Sequence, residues 1–234
     1  MKEAALEVNH WCHEKVVYTS TDDRTSAPLA TIKTAFGRCG EESVFTVAAL
    51  RAVGIPARQI YTPRWAHQDD NHAWVEFWAD CQWYFMGACE PEPDVNIAWF
   101  TEPARRAMLT TTTTPGNYTS TSGVERRKNY TRLNTVDNYT QGKDFVVRVS
   151  DEKGAAVENA TVRYMVYNYA EFYSLADLQT DTAGLSSLRV GLGDIIIVWV
   201  SRGDDVVFRK VSVAEVDTLD LTLSKTSLNE YQLE

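Results

Sequence analysis

An unbroken threonine run, Thr110–Thr114, divides this chain into two chemically unlike halves. All four cysteines, all four histidines and six of the seven prolines precede it. After it come short β-branched and aromatic stretches: Phe145–Val149, Thr161–Tyr167, Leu185–Val190, Ile195–Val200, Val206–Val213 and Leu219–Leu223. Turn residues such as Asp181-Thr-Ala-Gly184 and Arg202-Gly-Asp-Asp205 separate them. Strands at that spacing predict an all-β sandwich, with Tyr167 and Trp199 expected in its core. The run itself, with Pro115-Gly116-Asn117 behind it, has little to bury and predicts a linker or exposed loop. The expected organisation is therefore a first domain over residues 1–108, a Thr-rich linker over 109–128, a β-sandwich over 129–225 and a tail over 226–234.

The first half mixes both hydrophobic periods. Ala4–Val17 places Leu6, Val8, Trp11 and Val16 at helical spacing, and Glu41–Val53 does so more strongly before Gly54 and Pro56 end it. Arg58–Tyr61, His72–Trp78 and Gln82–Met86 alternate like strands, the last two forming a hairpin that turns near Asp80. Helices followed by an antiparallel sheet define an α+β domain.

Composition excludes several functions. The 234 residues carry 32 acidic and 23 basic side chains, a net charge of −9, which disfavours a nucleic-acid partner because phosphate binding needs a basic face. No apolar run approaches the ~20 residues of a membrane-spanning helix. No C-x-x-C pair supports a structural metal site, so neither a metal nor another cofactor is expected. The segment after Met1 lacks the apolar core of an export signal.

Two segments carry candidate chemistry. In Gly37-Arg38-Cys39-Gly40-Glu41-Glu42-Ser43 a cysteine sits between glycines at a predicted helix start. Unpaired N–H groups and the positive end of the helix dipole favour its thiolate there, and the Cys39 N–H is placed to donate to an oxyanion. In Asn71-His72-Ala73-Trp74-Val75-Glu76 a histidine opens a strand, with His72, Trp74, Glu76 and Trp78 on one face. A thiol beside an imidazole is the pairing of nucleophilic acyl chemistry.

These two segments, joined by Leu50-Arg-Ala-Val-Gly-Ile-Pro-Ala-Arg58, resemble the core of the transglutaminase-like superfamily across residues 5–105. That superfamily includes animal transglutaminases, bacterial proteases and peptide N-glycanases. The resemblance implies a papain-like fold with Cys39 as nucleophile and His72 as base. It also implies a peptide or protein carboxamide as substrate, resolved by hydrolysis or amine transfer. The alternative is a weak or inactive module that binds peptide or glycan. The family's third member, an aspartate after the histidine hairpin, falls on Gly87, in Gly87-Ala-Cys-Glu90. With a turn at Asp80-Cys81, His72 would lie opposite Cys89, which puts Glu90 and Glu92 near enough to substitute, Glu90 being the expected one. Trp11 on the preceding helix, Trp65 and His67 in the polar loop before His72, and Trp74 are candidate substrate contacts. The second half is similar to immunoglobulin-like or prealbumin-like modules appended to bacterial extracellular proteins. This suggests a secreted, periplasmic or cell-surface setting and a longer, multidomain parent protein.

Overall fold

The computed structural model describes residues 1–20 and 25–224. Residues 226–234, expected as a tail, lie outside the described residues. The chain forms two compact units. Among the described residues, the first comprises 1–20, 25–63, 71–105 and 110–135, and the second 64–70, 106–109 and 136–224.

The first unit begins with α1 (Lys2–Lys15), β1 (Val17–Tyr18), α2 (Pro28–Thr34), β2 (Phe36–Gly37) and α3 (Cys39–Ala52). The sheet strands β3 (Ala57–Thr62), β4 (His72–Ala79) and β5 (Gln82–Met86) follow, and then α4 (Thr101–Ala104). Three further strands, β6 (Thr111–Pro115), β7 (Gly123–Arg126) and β8 (Tyr130–Asn134), complete a six-stranded sheet of order β5-β4-β3-β6-β8-β7. The short α2 carries too few apolar residues for its period to be read from the sequence.

The expected linker over 109–128 is corrected here: the threonines form β6, an inner strand. Thr110, Thr111 and Thr112 are buried, and β branching suits them to a pleated surface. Burial requires their hydroxyls to find partners. Thr112 Oγ1 donates to Gln59 O at 2.8 Å, and the Thr110 and Thr135 hydroxyls bond at 2.9 Å. Residues 129–135 accordingly fall in the first unit, Tyr130–Asn134 as a strand of this sheet, and not in the β domain expected from residue 129.

Packing of α3 on the sheet sets the site. The helix ends where Gly54 adopts φ +83°, with the Ile55 N–H returning to Leu50 O. Val47 and Leu50 of α3 pack with Ala57, Val75, Phe77, Tyr84 and Met86 of the sheet. Each fully buried side chain of this size contributes about 1.5–3 kcal/mol. The other phase of β4 looks the opposite way: Arg58 donates to Glu76 Oε2 at 2.6 Å and lies 3.9 Å from the Trp83 ring centre. The β4–β5 hairpin turns at Asp80 and Cys81, at φ +50° and +61°, with Val75 opposite Met86 and Ala79 opposite Gln82. The pairing ends at Met86, and a turn over residues 88–89, with Cys89 at φ +57°, follows it.

The second unit contains β9 (Gly142–Asp151), β10 (Thr161–Asn168), β11 (Glu171–Gln179), β12 (Leu185–Gly191), β13 (Ile195–Arg202), β14 (Asp205–Ser212) and β15 (Thr218–Leu223). They form sheets of order β11-β10-β13-β14 and β12-β9-β15. Alternate residues Phe145, Val147 and Val149 of one sheet, and Val162, Tyr164 and Val166 of the other, are buried. Tyr164 stands edge-on to Phe145 and donates to Ser186 Oγ at 3.0 Å. Tyr167 is exposed, not in the core, and Trp199 stacks on Phe208 with only partial cover.

Candidate active site

Cys39 is the first residue of α3, and the local sequence fixes it there. A side chain at Gly37 would put a Cβ 2.5 Å from Glu41 Cβ, so glycine lets Glu41 fold back over the helix start. The buried Glu41 carboxylate accepts the N–H groups of Arg38 at 3.0 Å and Ser26 at 3.1 Å. This meets part of the donor excess of a helix N-terminus. Ser43 Oγ donates to Cys39 O at 2.6 Å and in turn accepts Gln59 Nε2 at 2.7 Å. The first turn of α3 is thereby tied to β3.

Cys39 opens onto a cavity of about 330 Å³. Its other walls include Arg38 and Gly40, Gln59 and Tyr61 of β3, and Arg132 of β8. Asn71 and Ala73, which flank His72 in sequence, line it as well. His72 itself lies on the alternate phase of β4. Its imidazole packs on Trp74 at 5.7 Å, Trp99 at 4.7 Å and Phe100 at 4.7 Å between ring centres. Nε2 has no hydrogen-bond partner among the described residues. Burial among these rings lowers the pKa to about 4, so the ring is neutral at physiological pH. Cys39 and His72 thus reach the same end of the sheet without a hydrogen bond from Nε2 to the thiol.

The segment after β5 contains Gly87, the position where the resemblance places the family's aspartate. A Cβ at Gly87 would lie 2.1 Å from Glu90 Oε2 and 2.9 Å from Glu90 Cβ. The Glu90 carboxyl therefore occupies the space a side chain at position 87 would enter. Buried Asn9 on α1 holds this turn: Nδ2 donates to Gly87 O at 2.9 Å and Glu90 O at 3.2 Å, and Oδ1 accepts the Cys89 N–H at 2.9 Å. Glu90 Oε1 accepts Trp99 Nε1 at 3.1 Å, whereas Oε2 is buried without a partner. Burial raises the Glu90 pKa, against the Trp99 hydrogen bond that lowers it. Trp99 thus touches both His72 and Glu90. Its place after a proline-rich turn carries no periodic signal that would have singled it out.

Glu42, one turn beyond Cys39, was also invisible to sequence reasoning. It is buried, and desolvation, reinforced by the charges of Glu90 and Glu41, pushes its pKa up to about 8.

Of the expected substrate contacts in the first unit, neither Trp11 nor Trp74 lines the Cys39 cavity. Trp11 packs against Phe45 and lines a separate apolar groove with Leu29 and Val53. Trp74 is fully buried in the core. Trp65 and His67 group with the second unit, where Asn168 Nδ2 donates to Trp65 O at 2.9 Å and Trp65 is 1% exposed. Burial and the nearby Arg106 lower the His67 pKa. Cys12, Cys81 and Cys89 are free thiols.

Comparison with known proteins bears on the first unit. A search of curated proteins finds no match. Among solved structures, Legionella pneumophila LapG is similar at 17% identity and TM-score 0.34, over 46% of this chain and 64% of LapG. Its calcium-bound form gives 16% and 0.35, over 54% of this chain and 71% of that one. Red sea bream transglutaminase gives 10% and 0.36, over 95% of this chain and 52% of that one. The chain thus spans less than two thirds of the LapG chain first compared. The profile of the transglutaminase-like superfamily matches residues 1–88, which include both Cys39 and His72. Over residues 1–88 the chain is thus similar to the transglutaminase-like superfamily.

Proposed function

We propose that the first unit is a thiol enzyme acting on peptide or protein carboxamides, either a glutamine side chain or a peptide bond. Cys39 Sγ attacks the carbonyl carbon as the carbon–nitrogen bond breaks, and the departing nitrogen takes the proton carried by His72. The thioester is then resolved by water or by an amine. The observation that carries this reading is the placement of Cys39 at the N-terminus of α3, on a cavity walled by both sequence neighbours of His72. Neutral at physiological pH, His72 has the protonation state a base requires, but its imidazole must turn out of its aromatic packing to reach the thiol. Glu90, whose carboxyl fills the space beside Gly87, takes the orienting role of the family's aspartate. The appended β domain supports an exported or cell-surface setting, and no helix among the described residues is long and apolar enough to cross a membrane.

The packing of His72 against Trp74, Trp99 and Phe100 favours a second reading, a binding module in which this imidazole is structural. One experiment separates them: the pH dependence of iodoacetamide alkylation at each cysteine, in wild type and His72→Ala. Fast alkylation of Cys39 below pH 7 that is lost with His72 supports the enzyme. Ordinary thiol behaviour near pH 8.5 supports the module.

A further inference from the structure

The described walls around Cys39 carry two arginines, Arg38 and Arg132, and no carboxylate, in a protein whose net charge is −9. Among the described residues, two acids pair with these arginines. Glu41, already accepting two backbone N–H groups, sits 3.6 Å from Arg38 Nε. Glu125 divides its charge between Arg132 Nη1 at 3.0 Å and Arg127 Nε at 2.6 Å, so Arg132 is only partly compensated. Buried Glu42, its pKa near 8, is mostly protonated at neutral pH and restores little negative charge beneath the helix start. The N-terminus of the 14-residue α3 adds its positive dipole to the same space.

We infer that this cavity selects carboxamide substrates carrying a carboxylate next to the reacting group. The inference rests on the thiol-enzyme reading and adds the substrate class to it. Arg38 directly precedes Cys39 and Arg132 lines the wall supplied by β8, so the cavity offers guanidinium donors suited to carboxylate. The carboxylate has two possible sources, an acidic side chain beside the reacting residue or a free chain terminus.

Alkylation by iodoacetate and iodoacetamide tests this on the intact chain. Both form a sulfur–carbon bond and expel iodide, but only iodoacetate brings a carboxylate to the sulfur. Exposed Cys81 serves as the reference in the same molecule. The iodoacetate-to-iodoacetamide rate ratio at Cys39 is expected to exceed that at Cys81 by about threefold or more, the effect of one opposite charge about 6 Å away in a watery site. Arg132→Gln lowers the ratio severalfold, Arg132→Lys keeps it, and Arg202→Gln, which removes a charge from the second unit, leaves it unchanged. Equal ratios at the two cysteines, or a ratio indifferent to Arg132→Gln, overturn the inference and leave the enzyme reading standing. A Cys39 inert to both reagents overturns both. Protection of Cys39 by short peptides then identifies the source of the carboxylate. Acetyl-Ala-Gln-Glu-amide offers a side chain, acetyl-Ala-Gln a free terminus, and acetyl-Ala-Gln-Ala-amide neither. Protection by one or both acidic peptides in preference to the neutral one supports the inference, and equal protection by all three refutes it.

Discussion

Gly87→Ala is the smallest change that tests whether Glu90 occupies the place of the missing aspartate. The new methyl carbon would fall 2.1 Å from Glu90 Oε2, 3.1 Å from Cδ and 2.9 Å from Cβ. Swinging the carboxyl aside relieves the first two contacts and breaks the 3.1 Å hydrogen bond from Trp99. The contact with Cβ persists unless the backbone moves, and three hydrogen bonds between that backbone and the Asn9 side chain hold it. Overpacking of this kind costs about 1–3 kcal/mol, and the lost hydrogen bond adds about 1 kcal/mol. Reduced freedom of the unfolded chain returns about 0.4–1 kcal/mol. The net expectation is a loss of about 2 kcal/mol in urea denaturation at pH 7. In a Glu90→Ala background the obstruction is gone, and Gly87→Ala should be neutral or slightly stabilising. The double-mutant cycle should therefore show a coupling of about 1.5 kcal/mol or more. Additivity within about 0.5 kcal/mol would refute the shared-space argument.

The buried acid and the buried base give stability opposite pH dependences. Glu42, raised to about 8, holds its proton more tightly folded than unfolded, so its contribution is complete below pH ~4.5 and declines as pH rises through 8. Glu42→Gln should flatten that decline and stabilise the protein by a few kcal/mol at pH 8, measured by urea titration. His72, lowered to about 4, contributes above pH ~6.5 and loses its contribution as pH falls through 4; a His72→Ala variant that keeps the acid limb unchanged would contradict this. Removing the indole in Trp99→Ala should wet the imidazole and move its pKa back toward 6.5, read from its ring proton shifts by NMR. Asn9→Ala should cost about 2–4 kcal/mol by leaving buried groups of the 87–90 turn without partners, and a loss under about 1 kcal/mol would argue that water replaces the amide.

The legible parts of this fold are those where chemistry and period coincide. His72–Trp78 alternates between core and opposite face, and its register with Gln82–Met86 follows from a two-residue turn whose residues both take positive φ. The start of α3 was readable because a cysteine between glycines is a local signal. The orientation of His72 was not, because which face of a strand a helix covers depends on packing between distant segments. Strands β6–β8 escaped notice because threonine satisfies its hydroxyl through partners such as Gln59 O, invisible to hydropathy. Strand β11 was hidden in an aromatic stretch whose side chains Tyr167 and Phe172 lie exposed.

The threonine strand has a consequence for how this protein can be divided. Tyr61 of β3 pairs with Thr111 of β6, and β6 pairs along its length with β8. A fragment cut at residue 108, or at the end of the family match at residue 88, would strip three of the six strands from the sheet. It would leave β3 as a bare edge, a row of unsatisfied amides and carbonyls beside Cys39. Such edges recruit a strand from another molecule, so the fragment would be expected to self-associate through the flank of its own reactive thiol. Recombinant work on the thiol chemistry therefore needs residues through 135 at the least.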